Sequence, residues 1–355
     1  MARSSLPAAR RWSRRLAAVL MGTLLALLAA EIVLRIHDPF GSRIHGDKIV
    51  LPVHASYRLT IDGDYGIERS LVHTKNSLGF RGEEPPPDFA QRLTFVTIGG
   101  STTECFFLSD GKTWSDLLLA RLRAEFPGAW LDNAGLDGTS TFAHEILLED
   151  YVVKLHPRYV LFLVGANDYG RSELNRYDRA LLPETPPFLL HLLQKSALFC
   201  AAQTVYRGYQ AYKADLPHNF GQIPPLYDEE ITPSELAVGK ALHAPMLPEY
   251  ADRLRRLIFV ARGAGIEPVF MTQPTLFARA GSGKLTKRNL YREVLEDYND
   301  TLRSVGRESH VLVIDLQEMS GEPGCFYDKV HFTNRGAERV AEIAARSLIP
   351  WLKGR

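Results

Sequence analysis

Cysteine is scarce. Three residues, Cys105, Cys200 and Cys325, are spread over 355 positions, too few and too scattered for a disulfide framework or a structural zinc site. Their odd number leaves at least one unpaired unless the protein dimerises through it. An excess of either charge is also missing: 42 basic residues stand against 41 acidic ones, a formal net charge of +1. The clustered basic face that nucleic acid requires is therefore not expected. Internal repeats and low-complexity tracts are absent too. The turn-rich "GGSTTE" that follows the first apolar strand lacks the lysine of a phosphate loop, and no G-x-G-x-x-G comes after it. Nor does it carry the G-x-S-x-G elbow of the α/β-hydrolases. Nucleic acid, metal and cofactor are all outside the expectation.

A long hydrophobic run is present, at the N-terminus. "ARRWSRR" supplies Arg10, Arg11, Arg14 and Arg15, and "LAAVLMGTLLALLAAEIVLRI" follows from Leu16 to Ile36. Leu16–Ala30 alone has the length of a signal-peptide core, whereas the run extended to Ile36 is long enough to span a bilayer. Cleavage after Ala30 would put Leu28 at the −3 position, which calls for a small residue. The reading is an uncleaved signal anchor: residues 1–15 form a cytoplasmic basic segment, 16–36 the membrane helix, and the rest lies on the far side. Glu31 is the awkward residue, because a carboxylate inside such a run is costly unless it sits near the interface.

Residues 37–90 are rich in turn-formers and end in "EEPPPD", which reads as an irregular or hairpin-rich stalk. An alternation then begins. Strands are expected at 92–99, 129–135, 158–165, 266–274 and 310–316. Between and after them, helices are expected at 113–126, 142–155, 249–265 and 289–305, with a last one in "RGAERVAEIAARSLIPWL". Five strands alternating with helices imply an α/β domain, 91–352, with a parallel sheet covered on both faces. The rhythm breaks over 170–248, an insertion with an apolar helical stretch followed by the proline-dotted "LPHNFGQIPPLYDEEITP". Placed after a strand's carboxyl end, it reads as a lid or cap, or else as decoration elsewhere on the core.

Chemistry in such sheets gathers at the carboxyl ends of the strands. The first strand ends at Gly99-Gly100-Ser101, the second runs into "NAGLDG" with Gly138, and the third ends in "GAND" with Asn167. The last is followed by "DKVHFT", with Asp328 three residues before His331. Each fragment alone is ordinary punctuation. Together, on one face, they supply a nucleophile, donors, a base and an acid to orient it.

These four fragments resemble the blocks of the SGNH (GDSL-like) hydrolases, over roughly residues 92–350 apart from the insertion. The resemblance implies a flavodoxin-like three-layer α/β/α sandwich and a serine esterase without a cofactor. It makes Ser101 the nucleophile, His331 the base and Asp328 its orienting acid. The oxyanion hole would be the Ser101 and Gly138 N–H groups and the Asn167 amide. Gly100 stands where the family's Gly-Asp-Ser has Asp, a departure outside the catalytic set. A far-side location points to an ester substrate such as an acylated envelope glycan or lipid. An acyltransferase on the same fold and a catalytically silent glycan-binding protein are the alternatives, and the oligomeric state is left open.

Overall fold

A computed structural model of the chain describes residues 8–37, 44–45, 48–171, 193, 195–213, 218, 220–279, 281 and 283–355. The chain divides into two compact units: residues 1–50 with 182–216, and 51–181 with 217–355.

The first unit is built on the helix Ala8–Ile36. Within it Trp12–Ile36, 25 residues, is long and apolar enough to cross a membrane by length and composition. The Glu31 carboxylate does not stand alone. It accepts from the Ser196 hydroxyl at 2.7 Å and from the Ala197 and Leu198 N–H groups at 2.9 and 3.0 Å. Those are open donors at the start of the helix Ala197–Lys213, which an N-terminal carboxylate satisfies. Arg35 pairs with Glu31 at 2.7 Å and donates to the Lys195 carbonyl at 2.8 Å. The apolar stretch expected to form part of a cap thus begins, from Ala197, a helix fastened to the N-terminal one. Its earlier portion, 187–192, lies outside the described residues.

The second unit opens with an antiparallel hairpin, β1 (Ser56–Thr60) and β2 (Ser70–Thr74). Residues from Leu51 to 90, expected as stalk, belong to this unit. Their cohesion has a specific source. The buried Arg81 guanidinium donates to the carbonyls of Glu104, Cys105 and Leu108 at 2.9, 2.6 and 2.8 Å. Arg81 and Asn133 also exchange backbone hydrogen bonds, both 2.8 Å, which covers an otherwise open sheet edge.

The central sheet has five parallel strands: β3 (Thr94–Gly99), β4 (Trp130–Asn133), β5 (Tyr159–Leu163), β6 (Glu267–Met271) and β7 (Leu312–Ile314). Their spatial order is β4-β3-β5-β6-β7. Side chains alternate between two faces. Phe95, Leu161, Leu163, Val269 and Met271 pack in one core with the helices Trp114–Glu125 and Asn334–Lys353. Val96, Ile98, Val160, Phe162 and Phe270 turn the other way and are fully buried. On that side the helices Thr141–Leu147, Met246–Gly263 and Lys287–Glu308 pack on one another. This is the three-layer α/β/α sandwich.

Local chemistry sets the helix starts. Thr113 and Asp116 form a reciprocal capping box, and Thr333 accepts from the Gly336 N–H at 3.0 Å. The helix Pro233–His243, inside the span assigned to the insertion, packs on Lys287–Glu308. The second unit therefore resumes well before Glu249.

Phe162 is buried in a central strand, 5.8 Å from Phe270 between ring centroids. Phe162→Ala is expected to cost about 3–5 kcal/mol of stability, read as a lowered midpoint in chemical denaturation.

Candidate active site

Ser101 opens a single helical turn, Ser101–Glu104, directly after β3. Asp328 and His331 sit in a tight loop just before the last helix. Tyr327 and His331 close it with a 3.0 Å backbone bond, and the Thr333 N–H returns to the Cys325 carbonyl at 3.1 Å. The sheet brings the two ends together. Ser101 Oγ lies 2.7 Å from His331 Nε2 across 230 residues of sequence, and His331 Nδ1 lies 2.6 Å from Asp328 Oδ2. All three side chains are buried.

The loop folds around the acid. Asp328 Oδ1 accepts from the Val330 and His331 N–H groups at 3.0 and 2.8 Å. Burial by itself would raise the Asp328 pKa, but His331 and these donors outweigh it and hold the carboxyl well below its usual range. Burial lowers the His331 imidazole below the ordinary histidine value, against the pull of Asp328. A neutral imidazole is thereby held with one nitrogen on a carboxylate and the other on a hydroxyl. That arrangement activates a serine toward an acyl carbon.

Two loops bring donors alongside. Gly138 follows β4 with φ +73°, a left-handed conformation that glycine adopts without strain. Among the described residues neither its N–H nor that of Ser101 has a protein acceptor. Asn167, after β5, donates one amide hydrogen to the Thr139 carbonyl at 2.8 Å and keeps a second available. β3 and β5 are the neighbouring strands at which the strand order reverses, the usual place for a ligand crevice in this architecture. A small recess lies there, lined by Gly100, Thr139, Leu163, Ala166, Asn167 and Gln273.

Gly100 has a packing reason. A Cβ at this position would lie 2.4 Å from Asn167 Nδ2 and 3.0 Å from the Thr139 carbonyl. The departure from Gly-Asp-Ser is thus coupled to where the Asn167 amide rests.

The surroundings brace these loops. Glu104, paired with buried Lys75 at 3.0 Å, accepts from the Asp137 N–H at 2.7 Å and so ties the Ser101 turn to the Gly138 loop. Asp168, fully buried, pairs with Arg253 at 3.4 Å and bonds the Thr141 hydroxyl and N–H at the start of the helix Thr141–Leu147. Cys105 is a free buried thiol whose pKa is pushed up to about 12 by burial, and Cys325 is free as well. His144 lies 3.2 Å from the Thr139 hydroxyl, and the His243 ring packs on Tyr169. His191 falls outside the described residues.

One neighbour had no signal in the sequence. His218, from the proline-dotted stretch, stacks on the His331 ring with centroids 4.0 Å apart. Its Nδ1 is 2.7 Å from the Tyr327 hydroxyl, and its Nε2 is 3.6 Å from Asp137 Oδ1. No motif spacing marks it; only the adjacent aromatic Phe220, which stacks on Tyr327, hints that this segment docks. His218, Asp328 and His331 are the one group among the described residues with metal-ligand types within 4.8 Å of one another. Both His331 nitrogens and Asp328 are already bonded within the Ser–His–Asp chain, so an ion there would have to break it.

A model of the GDSL-like Lipase/Acylhydrolase family matches residues 97–339. The chain belongs to this family. It is a carboxylic ester hydrolase of the SGNH type. Among curated proteins no sequence matches it. It is similar to the solved structure of LAE5, an alpha/beta hydrolase enzyme from the metagenome of Lake Arreo, Spain. Identity is 18%, the TM-score 0.44, and the match covers 72% of this chain and 94% of that one. It is similar also to Axe2, an acetylxylan esterase from Geobacillus stearothermophilus, at 16% identity and TM-score 0.44 over 72% and 93% of the two chains.

In this hydrolase Gly100→Ala should displace the Asn167 amide. The expected result is a loss of ester hydrolysis of roughly tenfold or more, measured as kcat/KM beside an unfolding curve showing that the protein remains folded.

Proposed function

We propose that this hydrolase is a serine esterase in which Ser101 is the nucleophile, His331 the general base and acid, and Asp328 the residue that orients the imidazole. The observation that carries the reading is the buried, continuous hydrogen-bonded chain from Ser101 Oγ through His331 to Asp328. His331 takes the Ser101 proton as Oγ attacks the ester carbonyl, then returns it to the leaving alcohol. Water repeats the sequence on the acyl-enzyme. The tetrahedral oxygen is received by the Ser101 and Gly138 N–H groups and the Asn167 amide, each such donor contributing about 10²–10³ in rate. No step calls for a metal or cofactor.

The helix Ala8–Ile36 serves as an uncleaved anchor. Four arginines before the apolar run keep residues 1–15 cytoplasmic and place the catalytic unit on the far side. The bonds from Ser196–Leu198 to Glu31 and from Arg35 to the Lys195 carbonyl support an anchor that stays with the mature chain. O-acyl groups on envelope glycans or lipids are then the substrates within reach.

The test is intact-mass labelling of the detergent-solubilised full chain with a fluorophosphonate. One adduct on the parent and none on Ser101→Ala is expected; equal labelling of both would remove Ser101 as the nucleophile. The pH profile is a second check. Activity is full while His331 is neutral and falls as pH drops through its lowered pKa, so the acid limb of kcat/KM should lie below about 6.5, the ordinary histidine value. A limb at or above that value would contradict the buried-base reading.

A further inference from the structure

The proposed triad uses one histidine, yet two lie at the site. The His218 side chain is about 11% exposed, its ring centroid 4.0 Å from that of His331 with planes inclined by 32°. It belongs to none of the four family blocks and arrives from the segment that returns the chain to the catalytic unit. That segment is well held. The Gly221 N–H donates to the Tyr327 carbonyl at 2.8 Å, Phe220 stacks on Tyr327 at 5.1 Å, and Phe107 meets both the His218 and Phe220 rings edge-on at 4.8 Å.

The groups facing His218 come from three elements. The loop after β4 presents Asp137, whose carboxylate lies 3.6 Å from Nε2. The loop carrying the acid and the base presents the Tyr327 hydroxyl on Nδ1, together with His331 and Asp328. The nucleophile turn contributes the Glu104 carboxylate at longer range. Facing His331 are Asp328, Ser101, His218 and, more distantly, Asp137. Carboxylates thus surround two stacked imidazoles, but they are shared unequally: Asp328 is bonded to His331, and Asp137 sits against His218.

We propose that His218 is a positioning residue of the esterase site that takes the first proton entering it on acidification. Held against Asp137, the resulting cation lies on the face of His331 and keeps the catalytic imidazole a free base at lower pH than it would otherwise be. The reasoning is electrostatic. Two imidazoles at this separation cannot both be charged without mutual repulsion, so they titrate in two coupled steps. Burial opposes charge on His218, but the adjoining Asp137, with Asp328 and Glu104 beyond it, raises its pKa above the ordinary value, while His331 is lowered. The first proton therefore goes to His218. The second, on His331, is the one that stops catalysis.

The inference rests on His331 being the base of the reaction, and its test has a readout that does not. In the full chain in detergent micelles, [13Cε1]histidine NMR follows each imidazole through a pH titration. In His218→Phe, which retains an aromatic ring on His331, the His331 midpoint should move upward by at least about 0.5–1 pH unit, the size expected for one charge at this range even with the screening of bulk water. Asp137→Asn weakens the cation on His218 but also removes a carboxylate that faces His331, so it should move the midpoint upward by much less than His218→Phe does. In parallel, the ratio of kcat/KM at pH 5 to that at pH 8 should fall about 3–10-fold in His218→Phe. A merely structural role would lower both rates together and leave the ratio alone. An unmoved His331 midpoint in both variants overturns the inference. A shifted midpoint in a protein that Ser101→Ala does not inactivate leaves the coupling standing and removes the serine mechanism instead.

Discussion

The 2.7 Å contact between Ser101 and His331 joins residues 230 positions apart, and the rest of the catalytic unit can be understood as what holds that contact in place. A serine hydroxyl gains basic assistance only within hydrogen-bond reach, and a displacement of about an ångström costs orders of magnitude in rate. One end of the contact rides on β3, buried between two helical layers. The other rides on a loop closed by backbone bonds at Tyr327 and Thr333 and capped into the final helix. Asp328 is what lets that loop tolerate burial. Its carboxylate collects two backbone donors and an imidazole, so a charge out of water is fully bonded.

The same economy extends behind the nucleophile. Glu104, one turn beyond Ser101, accepts from the Asp137 N–H and pairs with Lys75, while Arg81 gathers the carbonyls at the end of that turn. Lys75 and Arg81 come from the region before the first sheet strand. That region is therefore part of the scaffold of the site, and the Ser101 turn is clamped from a segment twenty or more residues upstream.

How much of this could be read from sequence follows from the range of the forces involved. The five sheet strands and their helices were legible because alternation and apolar runs are local; "RYVLFLVG" needs no partner to read as a strand covered on both faces. The four strand-end fragments were legible because their residue types are fixed by the chemistry. What escaped depends on partners far away in the chain. Residues 51–90 read as stalk, since nothing in their composition reveals that Arg81 will find carbonyls 23 to 27 positions on. Glu31 read as a liability in an apolar run because its partners lie 165 to 167 residues away. His218 sits among prolines with no periodicity to place it. The helix Pro233–His243 was absorbed into the insertion because it joins the core through Lys287–Glu308 rather than through a strand.

The central claim is that Ser101 carries the acyl group between ester and water. Its most direct measurement is peptide mapping of the full chain after rapid acid quench during turnover of an acetyl ester. The account predicts acetyl on the peptide containing Ser101, appearing before steady state and vanishing as substrate runs out. Steady ester hydrolysis with acetyl on another residue, or with none on any peptide under conditions where deacylation is slowed, would contradict it.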